Sequence, residues 1–228
     1  MESNNIRLSH VLYRVQDLHG AVKKLRDAGF IVEYGTQPEK AYNAMIWFDK
    51  GVFIEIYRHP ELSVGVKWLM KRIGYKSIVQ RMDKWKTTEN NWCEWSLEST
   101  ATDLQTWKNF LRREKIPFKS HKIRRKTKDG KILSWHLLFP KDIEFPFLMS
   151  AYTPNPRPLK TIHPNGVTGV NSLIVGEEKL NVLLLNKLLI MPQSLKFVKD
   201  KIGLQTVELS DPSVKIEEIL SEYSSCYN

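Results

Sequence analysis

At 228 residues the chain is long enough for one large domain, or two closely joined small ones, with a sizeable buried core. Its 42% hydrophobic and 11% aromatic content excludes general disorder, and eleven Gly with eleven Pro exclude a collagen-like or linker-dominated architecture. The net charge of +10 suits an anionic partner, and equally an ordinary basic enzyme. No stretch approaches the roughly 20 apolar residues of a membrane span; the longest cluster, Val182 to Leu185, is broken by Asn186 and Lys187. Met1 to Asn5 lack the basic start and apolar core of a secretory signal. Cys93 and Cys226 are too few for a disulfide framework or a cysteine-only zinc site. The expectation is a cytoplasmic protein with no membrane association.

In chain order, Ile6 to Val15 is rich in Ile, Leu, Val and Tyr and reads as a strand. Asp17 follows as a helix N-cap, Val22, Leu25 and Ala28 keep helical spacing, and Gly29 ends the helix. Phe30 to Tyr34, Asn43 to Phe48 and Val52 to Tyr57 read as strands, the last two joined by the turn Asp49-Lys50-Gly51. Ser63 to Lys86 carries Val66, Leu69, Met70, Ile73, Ile78 and Val79 among many basic residues and reads as connecting helices. The first order then recurs. Trp92 to Leu97 is a strand, Asp103 starts a helix with Leu104, Trp107, Phe110 and Leu111 on one face, and Phe118–Lys126, Lys131–Phe139 and Phe145–Tyr152 close as strands. Beyond the Pro-rich hinge Pro154–Pro158, the segments Val170–Val175, Leu180–Ile190 and Val198–Leu209 suggest a shorter third unit.

The expected fold is α+β: paired βαβββ modules forming a curved mixed sheet around a cleft, plus a partial C-terminal βαββ-like unit. The expected divisions are 1–62 for the first module, 63–91 for a helical connector, 92–153 for the second module and 154–228 for the C-terminal unit. The basic run Lys119 to Lys131 surrounds Asp129-Gly130, so it reads as a solvated hairpin projecting from the second module. No helix-turn-helix, zinc-finger or RNA-binding aromatic motif accompanies it, leaving charge as the sole argument for nucleic acid.

Several motifs together resemble the glyoxalase-like domain proteins of the vicinal oxygen chelate superfamily (glyoxalase, bleomycin resistance and dioxygenase proteins). They are Leu8-Ser9-His10-Val11 with Val15-Gln16-Asp17-Leu18, Tyr42 to Ile46, and Phe53-Ile54-Glu55-Ile56-Tyr57. Trp135, Phe139-Pro140, Phe145 to Leu148 and His163-Pro164-Asn165-Gly166 extend the likeness, which covers roughly residues 6–175. The resemblance implies about eight strands curved around a site that often holds a divalent metal.

Read alone, His10 fits a satisfied core imidazole and Glu55 an edge carboxylate. A charged mid-strand carboxylate needs a partner if buried, and imidazole with carboxylate on neighbouring strands is half of a divalent metal site. The resemblance puts both in the pocket, with Glu55 as base or ligand and His10 and Glu55 as metal ligands a few ångströms apart. The second module departs from the family pattern: Ser96 stands in the place of His10 and Ser150 in that of Glu55. His136, Glu94 or Glu98 are the substitutes within reach. Asn43, Ser96, Trp135, His136 and Ser150 are the expected substrate-binding residues. Trp47, Trp92 and Trp95 suit either a pocket wall or the core. Cys93 reads as a small strand hydrophobe and His163 as a turn histidine.

Three function classes follow. The first is a small-molecule enzyme of lyase, isomerase or dioxygenase type, with or without a divalent metal, whose identity the sequence leaves open. The second is a non-catalytic module that binds or sequesters a small molecule, favoured by the two serines. The third is a basic nucleic-acid-associated protein, resting on charge. A homodimer is left open by all three.

Overall fold

The computed structural model describes residues 6–221 apart from Pro60, Glu89, Asn90 and Lys128. Cys226, the Met1–Asn5 segment and Lys128 of the basic run therefore lie outside the described residues. The first half comprises β1 (Ile6–Val15), α1 (Leu18–Asp27), β2 (Glu33–Tyr34), β3 (Asn43–Ile46) and β4 (Phe53–Arg58). Two helices follow, α2 (Val64–Met70) and α3 (Lys76–Thr87), with a kink between them at Gly74 (φ 87°). The second half repeats the first as β5 (Trp92–Ser99), α4 (Gln105–Arg113), β6 (Phe118–Lys126), β7 (Ile132–Pro140) and β8 (Phe147–Met149). The chain then forms β9 (Val170–Glu177), α5 (Val182–Leu188), β10 (Leu195–Val198), β11 (Ile202–Leu209) and α6 (Ile216–Ser221).

Among the described residues, eight strands make one curled mixed sheet in the order β2-β3-β4-β1-β5-β8-β7-β6, and three make a second sheet, β10-β9-β11. The two halves join edge to edge: β1 runs parallel to β4 on one side and antiparallel to β5 on the other. Sequence reading caught the elements and overran several ends. The strand expected from Phe30 is only Glu33–Tyr34, and that expected from Phe145 to Tyr152 is Phe147–Met149. Asp17 caps α1 as expected, accepting from the His19 N–H at 3.0 Å.

The large apolar core lies on the outer face of the sheet. Val11, Tyr13, Ile54, Ile56, Trp92, Trp95 and Leu97 meet Leu18, Val22 and Leu25 of α1, Trp107 and Leu111 of α4, and Leu173, Val175, Leu204 and Val207 of the small sheet in one cluster. Period-2 alternation sends the opposite set inward. Two register shifts modify it, between Leu8 and Val11 and between Leu12 and Tyr13 on β1. At the first, Ser9 and His10 both point into the curl between the outward Leu8 and Val11. At the second, Cys93 and Glu94 of β5 both point inward between the outward Trp92 and Trp95. A bulge is a means of re-aiming a side chain, and both bulges supply the interior with polar groups.

The helix α3 closes one end of the interior. Trp85 and Met82 pack on Leu12, Tyr57 and Phe147, and Arg81, 1% exposed, pairs with Glu94, 2% exposed. Arg81 Nη2 also donates to the carbonyls of Asp142 (2.9 Å) and Phe145 (2.8 Å), while Trp85 Nε1 donates to Glu94 at 3.0 Å. Among the described residues no helix is long and apolar enough to cross a membrane.

Removing one partner of a buried ion pair leaves a desolvated charge, at a cost of about 3–5 kcal/mol. Arg81→Met should therefore lower unfolding stability by that amount in denaturant titrations. The double variant Arg81→Met/Glu94→Leu should regain much of the loss. Additive single-variant losses would contradict this pairing.

Candidate functional site

The interior polar groups form a line from the central seam toward the first-half edge. His10 sits in β1 with its ring stacked on Phe53 of β4 (4.7 Å between centroids, 18° between planes) and edge-on to Phe147 (5.5 Å). Its Nδ1 lies 2.7 Å from Ser96 Oγ and 3.0 Å from Ser9 Oγ, and its Nε2 lies 3.5 Å from Glu55 Oε2. Burial, which penalises the charged form, pushes the imidazole pKa down to about 3, so it is neutral at pH 7. A neutral ring carries one N–H. With serine hydroxyls at Nδ1, the hydrogen is assigned to Nε2, facing Glu55. The contact is thus a neutral imidazole against a carboxyl group rather than an ion pair.

Glu55 stands beside Leu12 of β1 and Met45 of β3 in register. Its Oε1 accepts from Asn43 Nδ2 at 2.7 Å, and 15% of its side chain remains exposed. Burial raises its pKa above the ordinary carboxyl value, opposed by the Asn43 hydrogen bond and the Arg125 charge. Asn43 Oδ1 in turn accepts from Arg125 Nη1 at 3.3 Å. Arg125 belongs to β6, the far edge of the sheet. The sheet curls until that strand meets the opposite edge, where Thr36 Oγ1 donates to the Lys126 carbonyl at 3.1 Å.

Of the residues singled out in the sequence, His10, Glu55, Asn43 and Ser96 converge. Trp135, 8% exposed, lies beneath the Arg125 guanidinium, 5.6 Å from ring centroid to carbon. Ser150 and His136 do not join them. Ser150 Oγ, fully buried, accepts from the His136 N–H at 2.9 Å and donates to the Ala151 carbonyl at 3.0 Å. The His136 side chain has the opposite parity to Trp135 and feels Lys108 and Asp103 near α4. Glu94 is taken by Arg81 and Trp85, and Glu98 by Arg7, 3.3 Å away. Trp47 packs against Phe53 with the rings tilted and 4.2 Å between centroids, whereas Trp92 and Trp95 belong to the outer core. Cys93 is buried, and burial raises its thiol pKa. His163 is a clamp between segments: Nδ1 accepts from the Ile31 N–H and Nε2 faces the Trp47 carbonyl, both at 3.0 Å.

Arg125 was missed by sequence reading, which placed the whole basic hairpin in solvent. The strand alternates: Lys122, Arg124 and Lys126 are exposed, and Ile123 and Arg125 are half-buried on the inner side. An isoleucine two residues before an arginine, opposite a strand bearing Trp135, was the available signal.

The donors do not fit a resident divalent cation. Among the described residues no group of three or more His, Cys, Asp or Glu could hold a metal ion. His10 and Glu55 alone face each other, the second half presents neutral Ser96, and a guanidinium stands one residue away. No step below passes through a metal.

The family model described as Glyoxalase-like domain matches residues 8–184. Neither the curated proteins nor the solved structures give a match to this chain.

Below its unfolded value of 6.5, the unfolded His10 takes a proton that the folded ring refuses until about pH 3. Folding stability from this residue is therefore present above pH 6.5 and lost as pH falls, at about 1.4 kcal/mol per unit. Between pH 7 and pH 5, wild type should lose about 2 kcal/mol more than His10→Gln in unfolding titrations. Parallel pH–stability curves would contradict a neutral buried His10.

Proposed function

The chain belongs to the glyoxalase-like domain family, and from that premise we propose that it binds a small organic molecule inside the curled sheet and moves a proton with Glu55. The observation that carries this reading is the Glu55 carboxyl itself. It is buried enough to be more basic than an ordinary carboxylate, yet 15% of its side chain remains accessible. A base in that state meets the two demands of general base catalysis, reach and a pKa moved toward neutrality.

The neighbours have supporting parts. Ser96 and Ser9 turn the His10 ring so that Nε2–H faces Oε2, and Asn43 donates to Oε1. These two donors orient the carboxylate and steady its charge between turnovers. The ring cannot compete for the transferred proton at neutral pH because burial keeps it neutral. Burial raises the pKa of Tyr57 and Tyr152, both within the field of Glu55, so they remain O–H donors. A hydroxyl of that kind suits a carbonyl oxygen that gains charge as a neighbouring C–H proton leaves. Phe53, Trp47 and Trp135 supply apolar surface. The reaction class is thus proton abstraction beside a carbonyl, as in isomerase or lyase chemistry.

A second reading has its own observation. Ser96 contacts His10 where a further acid–base or ligand residue would be expected, which favours a module that sequesters its ligand unchanged.

Hydrogen–deuterium exchange separates the two. Incubated in D2O with a panel of small ketones and 2-oxo acids, wild type should exchange the α-protons of the compounds it binds. Glu55→Gln should slow this by roughly 100-fold or more, and a chelator should change nothing. Binding without exchange would favour sequestration, and equal rates for Glu55→Gln would remove Glu55 as the base.

A further inference from the structure

Among the described residues Arg125 makes no direct ion pair, and the Glu55 carboxyl that feels its charge lies on the other side of Asn43. Among the described residues no carboxylate lies within ion-pair distance of its guanidinium, in contrast to Arg81 on the same interior, which has Glu94. What holds it is neutral: Nη1 donates to the Asn43 amide oxygen, the plane lies over Trp135, and the Tyr42 hydroxyl lies against it. Its Nε is buried and has no hydrogen-bond partner. A half-buried charge with an unanswered donor is costly unless something else completes it.

The seat is shaped for this residue. A Cβ on Gly35 would stand 2.6 Å from Arg125 Nη1, 3.1 Å from its Cζ and 2.2 Å from Asn43 Oδ1. The glycine leaves the space in which guanidinium and amide meet. Nη1 is turned to Asn43, and a guanidinium is matched in shape and charge to a carboxylate. One amide side chain separates the guanidinium from the Glu55 carboxyl.

We propose that Arg125 is the receptor for the carboxylate group of the substrate, so that the ligands of this site are small organic acids. The acid must be compact, since a molecule held at Arg125 brings to Glu55 only atoms a few bonds from its carboxylate. The proposal rests on the reading of the interior as a ligand site and adds the class of ligand. It also gives the basic hairpin a part that its exposed lysines do not share.

The test is binding of acetate, pyruvate and benzoate, each against its neutral amide, to the full chain by calorimetry. Wild type should prefer at least one acid over its amide by tenfold or more. Arg125→Gln should abolish the preference, Arg125→Lys should restore part of it, and Gly35→Ala, which crowds Arg125 and Asn43 alike, should remove most of it. If Arg125→Gln fails to fold, the Lys and Gly35→Ala variants carry the comparison. No acid preferred in wild type, or a preference surviving Arg125→Gln or Gly35→Ala, would overturn the proposal. Because the readout is binding alone, a Glu55 that moves no proton leaves the acid preference standing.

Discussion

The seam between β1 and β5 is the constraint on which the remainder depends. One strand, β1, is hydrogen-bonded to both halves, so its inward side chains are placed against both at once. His10 lies in that position. Its backbone N–H meets Ser96 of the second half at 3.3 Å while its ring stacks on Phe53 of the first. A buried imidazole there is pushed toward the neutral form by desolvation, and its surroundings are serine hydroxyls, aromatic rings and the Glu55 carboxyl at 3.5 Å, itself made more basic by burial. Neutrality follows, and with it the direction of the N–H that faces Glu55. The chemistry of the interior is therefore a consequence of how two similar units share one edge.

From that point the polar groups run outward in order: His10, Glu55, Asn43, Arg125, on β1, β4, β3 and β6. The first three strands are neighbours; the fourth is the most distant strand of the sheet. Only the curl brings it back. The interior consequently contains two arginines with different fates. Arg81 is neutralised by Glu94 and anchors α3, a structural arrangement that needs no ligand. Arg125 is held by an amide, an indole and a phenol, with the Glu55 carboxyl beyond the amide and no carboxylate among the described residues in direct contact. The contrast separates the residue that builds the interior from the one that can receive something in it.

Much of the fold was legible because hydrophobic periodicity and turn residues repeat in the two halves. Asp17 before Leu18 and Asp103 before Leu104, each followed by a helix and a closing hairpin, are a local pattern repeated in order. The site was legible in part. His10, Glu55 and Asn43 stand out as polar residues in apolar strands, and Ser96 follows from superposing the halves. His136 lies apart from the His10–Glu55 group because parity on β7 depends on which of Trp135 and His136 faces inward, a tertiary matter. The bulge that turns Ser9 and His10 inward together has no signature in Leu8-Ser9-His10-Val11, since strict alternation would point one of the two outward. Arg125 was hidden for the opposite reason: it is one of seven basic residues in the same run, and nothing local sets it apart from the exposed Lys122, Arg124 and Lys126. Its burial arises from contacts with Gly35 and Asn43, some 80 residues earlier.

The central claim is that His10 is a neutral ring whose Nε2–H faces Glu55. Nitrogen-15 NMR of histidine-labelled protein measures both halves of it, since ring nitrogen shifts report protonation and tautomer separately. The account predicts a His10 signal of the Nε2–H tautomer, unchanged from pH 7 to pH 5. A His10 that gains a proton near pH 6.5, or that carries its hydrogen on Nδ1, would contradict it.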